Sequence, residues 1–327
     1  MTTCVNDALG ALGRDSPFDP DNDDAYLRWR ERKLASYPLR AAEHIVEIDD
    51  PRALTHVEHE AVIERCRNTN FAIYASRARD PDKDIPRLLG RQFGLTHLDC
   101  NWLADDDGIS SLTVSSAVER RNYIPYTSRP IKWHTDGYYN ASHRCIRAMV
   151  LHCVSDAAAG GENALMDHEI AYLLLRDAEP EGVRALMAPD AMTIRARADE
   201  DGIARDEETG PVFHVDSRSG ELHMRYTART RSIAWKQDAA TRAAVALLES
   251  VLTADSPYVV CARLEPGMGI IANNVLHERG GFRDDANHRR LLYRARYYDR
   301  IAGTASAHVG AVPRNSSIVA LTVAERL

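Results

Sequence analysis

The sequence carries no excess of positive charge. Its 41 Lys and Arg are outnumbered by 48 Asp and Glu, for a formal net charge of −7. The basic residues are dispersed, so no stripe is present that would track a nucleic-acid backbone. No apolar run approaches the length of a membrane span. The stretch Met1 to Asp15 lacks the charged-then-apolar pattern of a secretory leader, so secretion is not expected. Six cysteines, Cys4, Cys66, Cys100, Cys145, Cys153 and Cys261, include no C-x-x-C pair, which excludes a zinc ribbon and a thioredoxin motif. They read as reduced thiols of a cytoplasmic protein. Internal repeats and low-complexity segments are also missing. The expected partners are therefore small molecules, with neither nucleic acid nor a membrane among them.

What is present is an ordinary globular composition, 44% hydrophobic and 27% charged over 327 residues. That is enough chain for one large β-sandwich or barrel with added helices. Helical patterning occupies 25–35, 57–67 and 85–93, with a short strand at Phe71–Tyr74. Residues 108–118, rich in Ser, Thr and Val, read as a further strand. Beyond about residue 130 short β-like runs recur at 147–152, 192–197, 212–215, 222–226, 258–264, 269–272 and 291–298, separated by turn residues. Two helices interrupt them, 168–177 with Asp167 as N-cap, and 239–252 with Ala244, Leu248 and Leu252 on one face. The expectation is one domain, mainly β with flanking α, built on a jelly roll. Residues 1–105 would be its mostly helical N-terminal part, 106–300 the jelly-roll core with helical insertions, and 301–327 a loosely packed polar tail.

The chemistry concentrates in two places. In Trp133-His-Thr-Asp-Gly137, residues two apart on a strand share a face, so His134 and Asp136 can offer a nitrogen and an oxygen to one ion. Two histidines and one carboxylate with open positions mark non-haem Fe(II) oxygenases. Alone, so short a pair is more often a chance occurrence or a solvent-exposed hydrogen-bonded couple. The second place is Pro266–His277, an apolar strand, an Asn-Asn break and a buried-looking histidine, followed by His288-Arg-Arg-Leu-Leu-Tyr-Arg-Ala-Arg-Tyr-Tyr298. Alternation puts Arg290, Leu292, Arg294 and Arg296 on one face. Turned inward, such guanidinium groups need an anion, and a dicarboxylate cosubstrate supplies one. Turned outward, they would be an edge strand in water.

Taken together, His-x-Asp, a distal His and the following arginines resemble the taurine dioxygenase superfamily of Fe(II)/2-oxoglutarate oxygenases, over roughly residues 110–298. The resemblance implies a double-stranded β-helix core. It implies Fe(II) held by His134, Asp136 and His277, with Arg290 on the remote carboxylate of 2-oxoglutarate and Arg294 at its other end or on the substrate. The family's Gly-Gly turn ends in a hydroxyl residue; here Gly160-Gly-Glu-Asn163 puts Asn163 in that slot, able to donate through its amide. The segment Pro211–Tyr226 with Thr230-Arg231 resembles, more weakly, the glutarate-hydroxylating branch. The expected activity is hydroxylation of a C–H bond in a small polar, anionic metabolite, with release of succinate and CO2. Tyr138, Arg231 and Arg296 are the candidate substrate contacts, Tyr138 on the assumption that its strand continues past Asp136. The competing partner for Arg294 and Arg296 is an internal carboxylate such as Glu162 or Asp167. Competing functions are a metal-containing β-barrel binding protein and a cupin-type dioxygenase that does without 2-oxoglutarate. Relatives are commonly dimers or tetramers, so the resemblance leaves a homo-oligomer, dimer or tetramer, open here.

Overall fold

A computed structural model describes residues 15–100, 105, 107–117, 120, 123–198, 204–217, 219–253 and 256–305. Ten strands make two main sheets: β1 Ile45–Glu47, β2 Phe71–Ala75, β3 Ser110–Leu112, β4 Ile131–His134, β5 Ala148–Ser155, β6 Asn163–Met166, β7 Val260–Ala262, β8 Met268–Ala272, β9 Leu276–Arg279 and β10 Leu291–Tyr297. The six-stranded sheet runs β1-β2-β8-β5-β10-β3 and the four-stranded sheet runs β7-β6-β9-β4. Every pairing within them is antiparallel except β1 with β2.

Strand alternation sorts side chains into layers. Phe71 and Ile73 of β2, Met149 and Leu151 of β5, Leu165 of β6 and Leu292 of β10 meet in one buried cluster between the sheets. The opposite face of the large sheet, with Ala72, Tyr74, Tyr293, Ala295 and Tyr297, is covered by Val62 and Cys66 of helix α2 (His56–Thr69) and Leu89 of helix α3 (Ile85–Gln92). The outer face of the small sheet, with Ala164, Met166 and Leu276, packs on three helices. These are α1 (Asp23–Ser36), α4 (His168–Ala178) and α6 (Ala239–Thr253), which contribute Tyr26, Trp29, Tyr172 and Leu248. Helix α5 (Pro180–Met187) adds Val183 and Leu186.

The local signals account for the helix ends. Asn22 caps α1, Thr55 and Glu58 form a reciprocal capping box on α2, and the Asp167 carboxylate accepts from Glu169 N at the start of α4. Helix α2 stops at Asn70, which adopts φ +60, so the chain can turn directly into β2.

Several expectations need revision. Residues 45–47 and 71–75 belong to the large sheet, so the N-terminal part supplies two strands of the core as well as helices. The strand expected over 108–118 is confined to Ser110–Leu112. Strand β6 and helix α5 were not anticipated. The start of the expected tail is held: Ile301 N donates to the Asn273 side chain, and Thr304 accepts from Asn273 Nδ2. Residues 306–327 lie outside the described residues.

Candidate metal centre

His134 ends β4, and His277 is its direct antiparallel partner on β9. The imidazole centroids stand 4.2 Å apart. Asp136 follows in a turn, and one ligand atom from each of the three residues falls within 4.8 Å of the others. The continuous strand expected through Asp136 is not observed. The chain leaves β4 at His134 and turns at Gly137, whose φ is +66. A β-carbon there would lie 2.4 Å from Ile146 Cγ1, so the turn has room only for glycine.

The histidine tautomers follow from their partners. His134 Nδ1 lies 2.9 Å from the Lys132 carbonyl and His277 Nδ1 lies 2.9 Å from the Val275 carbonyl. A carbonyl only accepts, so each Nδ1 carries the proton and each Nε2 keeps its lone pair for a cation. Burial pushes both imidazoles below their ordinary range, His134 to about 3, which keeps them neutral. Burial would raise the Asp136 carboxyl, but the guanidinium groups of Arg294 and Arg296 hold it well below the usual carboxylate range. Two neutral imidazoles and one anion form a donor set suited to a divalent transition metal.

Asn274 holds this arrangement together. Its φ is +51 and it is 2% exposed. Its side-chain oxygen accepts from Asp136 N at 2.7 Å, while its nitrogen donates to the Asp136 carbonyl at 2.9 Å and to Ile146 O at 2.6 Å. The residue three before the distal histidine therefore ties the Asp136 turn to the strand that carries His277. The sequence showed only an Asn-Asn break.

Beside the cluster lies a cleft lined by His134, His277, Asn163, Arg279, Arg290 and Arg294. Arg290 is 4% exposed, and its Nη1 has no protein partner. It lies over the Phe282 ring at 5.2 Å, and burial lowers its pKa. The Asn163 amide nitrogen is also buried without a partner. Gly160 and Gly161, at φ +74 and +81, bring the Gly-Gly turn against this wall, and a β-carbon on Gly161 would come 3.5 Å from Arg290 Nε. Arg279, two residues beyond His277, was missed in the sequence. It donates to the carbonyls of Thr127 and Arg129, and burial followed by the charge of Arg290 pushes its pKa down to about 9. Two buried guanidinium groups and an orphaned amide donor in one cleft fit a carboxylate ligand.

The family model described as taurine catabolism dioxygenase TauD, TfdA matches residues 49–296. The chain belongs to this family. A uridine-5′-phosphate dioxygenase from Amycolatopsis sp. is 32% identical over 171 residues, which cover 50% of this chain and 60% of the relative. The match thus spans less than two thirds of that curated relative. A solved taurine dioxygenase from Burkholderia xenovorans superposes with a TM-score of 0.53 at 19% identity, covering 80% of this chain and 89% of that one. An asparagine oxygenase solved with Fe(II), 3-hydroxyasparagine and succinate gives a TM-score of 0.53 at 15% identity, covering 89% and 87%. At these identities the two structures show a shared fold.

The inward face expected for Arg290, Leu292, Arg294 and Arg296 is observed. Arg294 Nη1 lies 3.1 Å from Asp136 Oδ1. Arg296 is not an open substrate contact. Its guanidinium donates to Asp99 and to the Tyr139 hydroxyl at 3.1 Å, and comes within 3.7 Å of Asp136. Its internal carboxylate is Asp99. Asp167 is instead bound by Lys33 at 2.6 Å. Tyr138, past the turn, is buried in the aromatic cluster containing Trp133. Arg231 is exposed in the turn Thr230–Ser232 and is not among the residues lining the cleft.

Proposed function

We propose that the protein is an Fe(II)/2-oxoglutarate-dependent oxygenase that hydroxylates a C–H bond of a small anionic metabolite. The observation that carries this reading is the pairing of an open His-Asp-His set with unneutralised, buried donors in the adjoining cleft. His134 and His277 would present Nε2 and Asp136 a carboxylate oxygen, leaving the remaining positions on the ion open, as a catalytic site requires. Arg290 and Asn163, with Arg279 behind them, would hold a carboxylate of 2-oxoglutarate. Arg294 would orient Asp136 and stand beside the incoming cosubstrate. When bound, Fe(II) and 2-oxoglutarate supply the oxidation, with succinate and CO2 released. The chain's own task is to orient the substrate C–H bond and exclude water. Asp136 would give its carboxylate to the metal and so leave no vacated position for a halide, which favours hydroxylation over halogenation.

The same reading takes the whole chain as one double-stranded β-helix domain, the two facing sheets being its halves. The free thiols among the described cysteines suit a cytoplasmic protein. An anionic substrate suits the surplus of arginine around the site, and the Amycolatopsis relative is named for a phosphate ester. The test is succinate formation from 2-oxoglutarate with Fe(II), ascorbate and a panel of phosphate esters, amino acids, dicarboxylates, sulfonates and quaternary amines. Stimulation by one anionic class with matching product is expected. Stimulation by neutral or cationic compounds alone would remove the anionic substrate, and no succinate at all would remove the activity.

A further inference from the structure

The two arginines of β10 beside Asp136 approach it unequally. Arg294 Nη1 lies 3.1 Å from Asp136 Oδ1 and 3.4 Å from Oδ2, so it spans the carboxylate. Arg296 Nη1 stops 3.7 Å from the same Oδ1, beyond hydrogen-bond reach. Both side chains are buried, Arg296 at 4% exposure and Asp136 at 5%. A buried guanidinium beside a buried carboxylate gains most by closing on it with two parallel hydrogen bonds. Arg296 does not close.

Two groups hold it back. Asp99 Oδ2 accepts from Arg296 Nη2. The Tyr139 hydroxyl accepts at 3.1 Å from Nη1, the same atom that faces Asp136. Asp99 is itself fixed by the strand it serves. Its backbone N donates to the Arg296 carbonyl at 2.8 Å, and Leu98 bridges to Tyr297. Its Oδ1 accepts from the Tyr298 hydroxyl at 2.6 Å, and it is 2% exposed. The ring of Tyr139 is fixed as well, edge-on to Tyr138 at 5.1 Å and 5.2 Å from the Arg205 guanidinium. Arg296 is thus tied at both nitrogens of its fork, each tie drawing it away from Asp136.

We propose that Asp99 and Tyr139 are positioning residues of the metal centre, anchoring Arg296 so that it supports the Asp136 anion without occupying its oxygens. At 3.7 Å the charge of Arg296 still favours the ionised carboxylate. Contact would go further. Arg294 already takes part of the accepting capacity of Asp136, and a second guanidinium on it would compete with a cation for the same lone pairs. Released from Tyr139 or Asp99, Arg296 would close on Asp136 and make it a weaker metal ligand. The proposal rests on the reading of His134, Asp136 and His277 as the ligands, and adds residues that act on Asp136 through Arg296.

The experiment is Co(II) titration of the metal-free full chain against a competing chelator. It compares wild type with Tyr139→Phe, Asp99→Asn, Arg296→Met and the combined Tyr139→Phe/Arg296→Met protein. Tyr139→Phe deletes one oxygen and keeps the ring between Tyr138 and Arg205. It should weaken Co(II) binding roughly 10-fold, the low end of the loss when an outer partner of a metal site is removed. Asp99→Asn should weaken it at least as much, and Tyr139→Phe decides the matter if Asp99→Asn folds poorly. With Arg296→Met in place the Tyr139→Phe loss should vanish, because no guanidinium is left to release. A tyrosine with a merely structural role would cost the same in both backgrounds. Unchanged Co(II) affinity in Tyr139→Phe, or an equal loss with and without Arg296, would overturn the proposal. If wild type binds Co(II) and His277→Ala does not, the ligand reading stands whichever way Tyr139→Phe falls. A wild type that binds no Co(II) would remove both.

Discussion

Replacing Arg290 by methionine separates binding from folding, because the two effects have opposite signs. The side chain is 4% exposed and has an unpartnered Nη1, so the ligand-free protein bears the cost of a buried, unneutralised charge. An apolar residue of similar length removes that cost, and such replacements are commonly neutral or stabilising. The ligand-free variant should therefore unfold at the same urea concentration as wild type or a higher one. Binding should move the other way. Loss of a buried charge-assisted pair costs about 2–5 kcal/mol, or roughly 30- to several-thousand-fold in the Kd for 2-oxoglutarate. At about 100 times the wild-type Kd, the cosubstrate adds about 2.7 kcal/mol to stability. A Kd raised about 30-fold cuts that gain to below about 1 kcal/mol. Urea unfolding of the Mn(II)-loaded protein with and without 2-oxoglutarate reads both quantities. A variant that is several kcal/mol less stable without ligand, yet keeps the full gain with it, would show that Arg290 is structural.

Asn274→Gly keeps the left-handed backbone but removes the clamp on the Asp136 turn. Co(II) affinity of the variant should fall at least roughly 10-fold while the chain stays folded, and the stranded buried groups should also lower the unfolding midpoint; unchanged affinity would refute the clamp. Asp99→Asn leaves Arg296 buried beside Asp136 without its main counter-ion and should cost about 3–5 kcal/mol in urea unfolding; a loss within error would mean that the pair is dispensable. His44 is fully buried, stacks on Phe71 at 4.8 Å, and is pushed down to about 4 by burial. The folded state thus resists its protonation: its stability is complete above about 6.5 and is lost as pH falls toward 4, by up to about 3 kcal/mol. His44→Phe should flatten that part of the stability profile, and an unchanged slope between pH 7 and 5 would count against it.

The cluster that could hold a metal was legible because such chemistry restricts residue type. Few side chains donate to a cation, and the His-x-Asp pair with a distal His, His134, Asp136 and His277, was picked out by its resemblance to the family's pattern. The mode of convergence was not legible. A same-face strand was expected, whereas a glycine turn and the Asn274 clamp do the work, and the clamp spans 138 positions. Alternation placed Arg290, Leu292, Arg294 and Arg296 on one inward face. It could not show that Arg296 is neutralised by Asp99, 197 positions away. Arg279 was within reach, since it lies two residues beyond His277 on the same short strand. The strand at Phe71–Tyr74 was visible from its β-branched and aromatic content. Its place inside the large sheet was not, because it pairs with β8, whose residues follow some 190 positions later.

The central claim is that His134, Asp136 and His277 hold Fe(II) with positions left open for 2-oxoglutarate. Its most direct test is anaerobic addition of 2-oxoglutarate to the Fe(II)-loaded protein, followed by visible absorption. A charge-transfer band should develop in wild type, saturate at one cosubstrate per chain, and be lost in His134→Ala, Asp136→Ala and His277→Ala proteins that remain folded. No band in wild type, or a band of full intensity in any one of the three variants, would contradict the account.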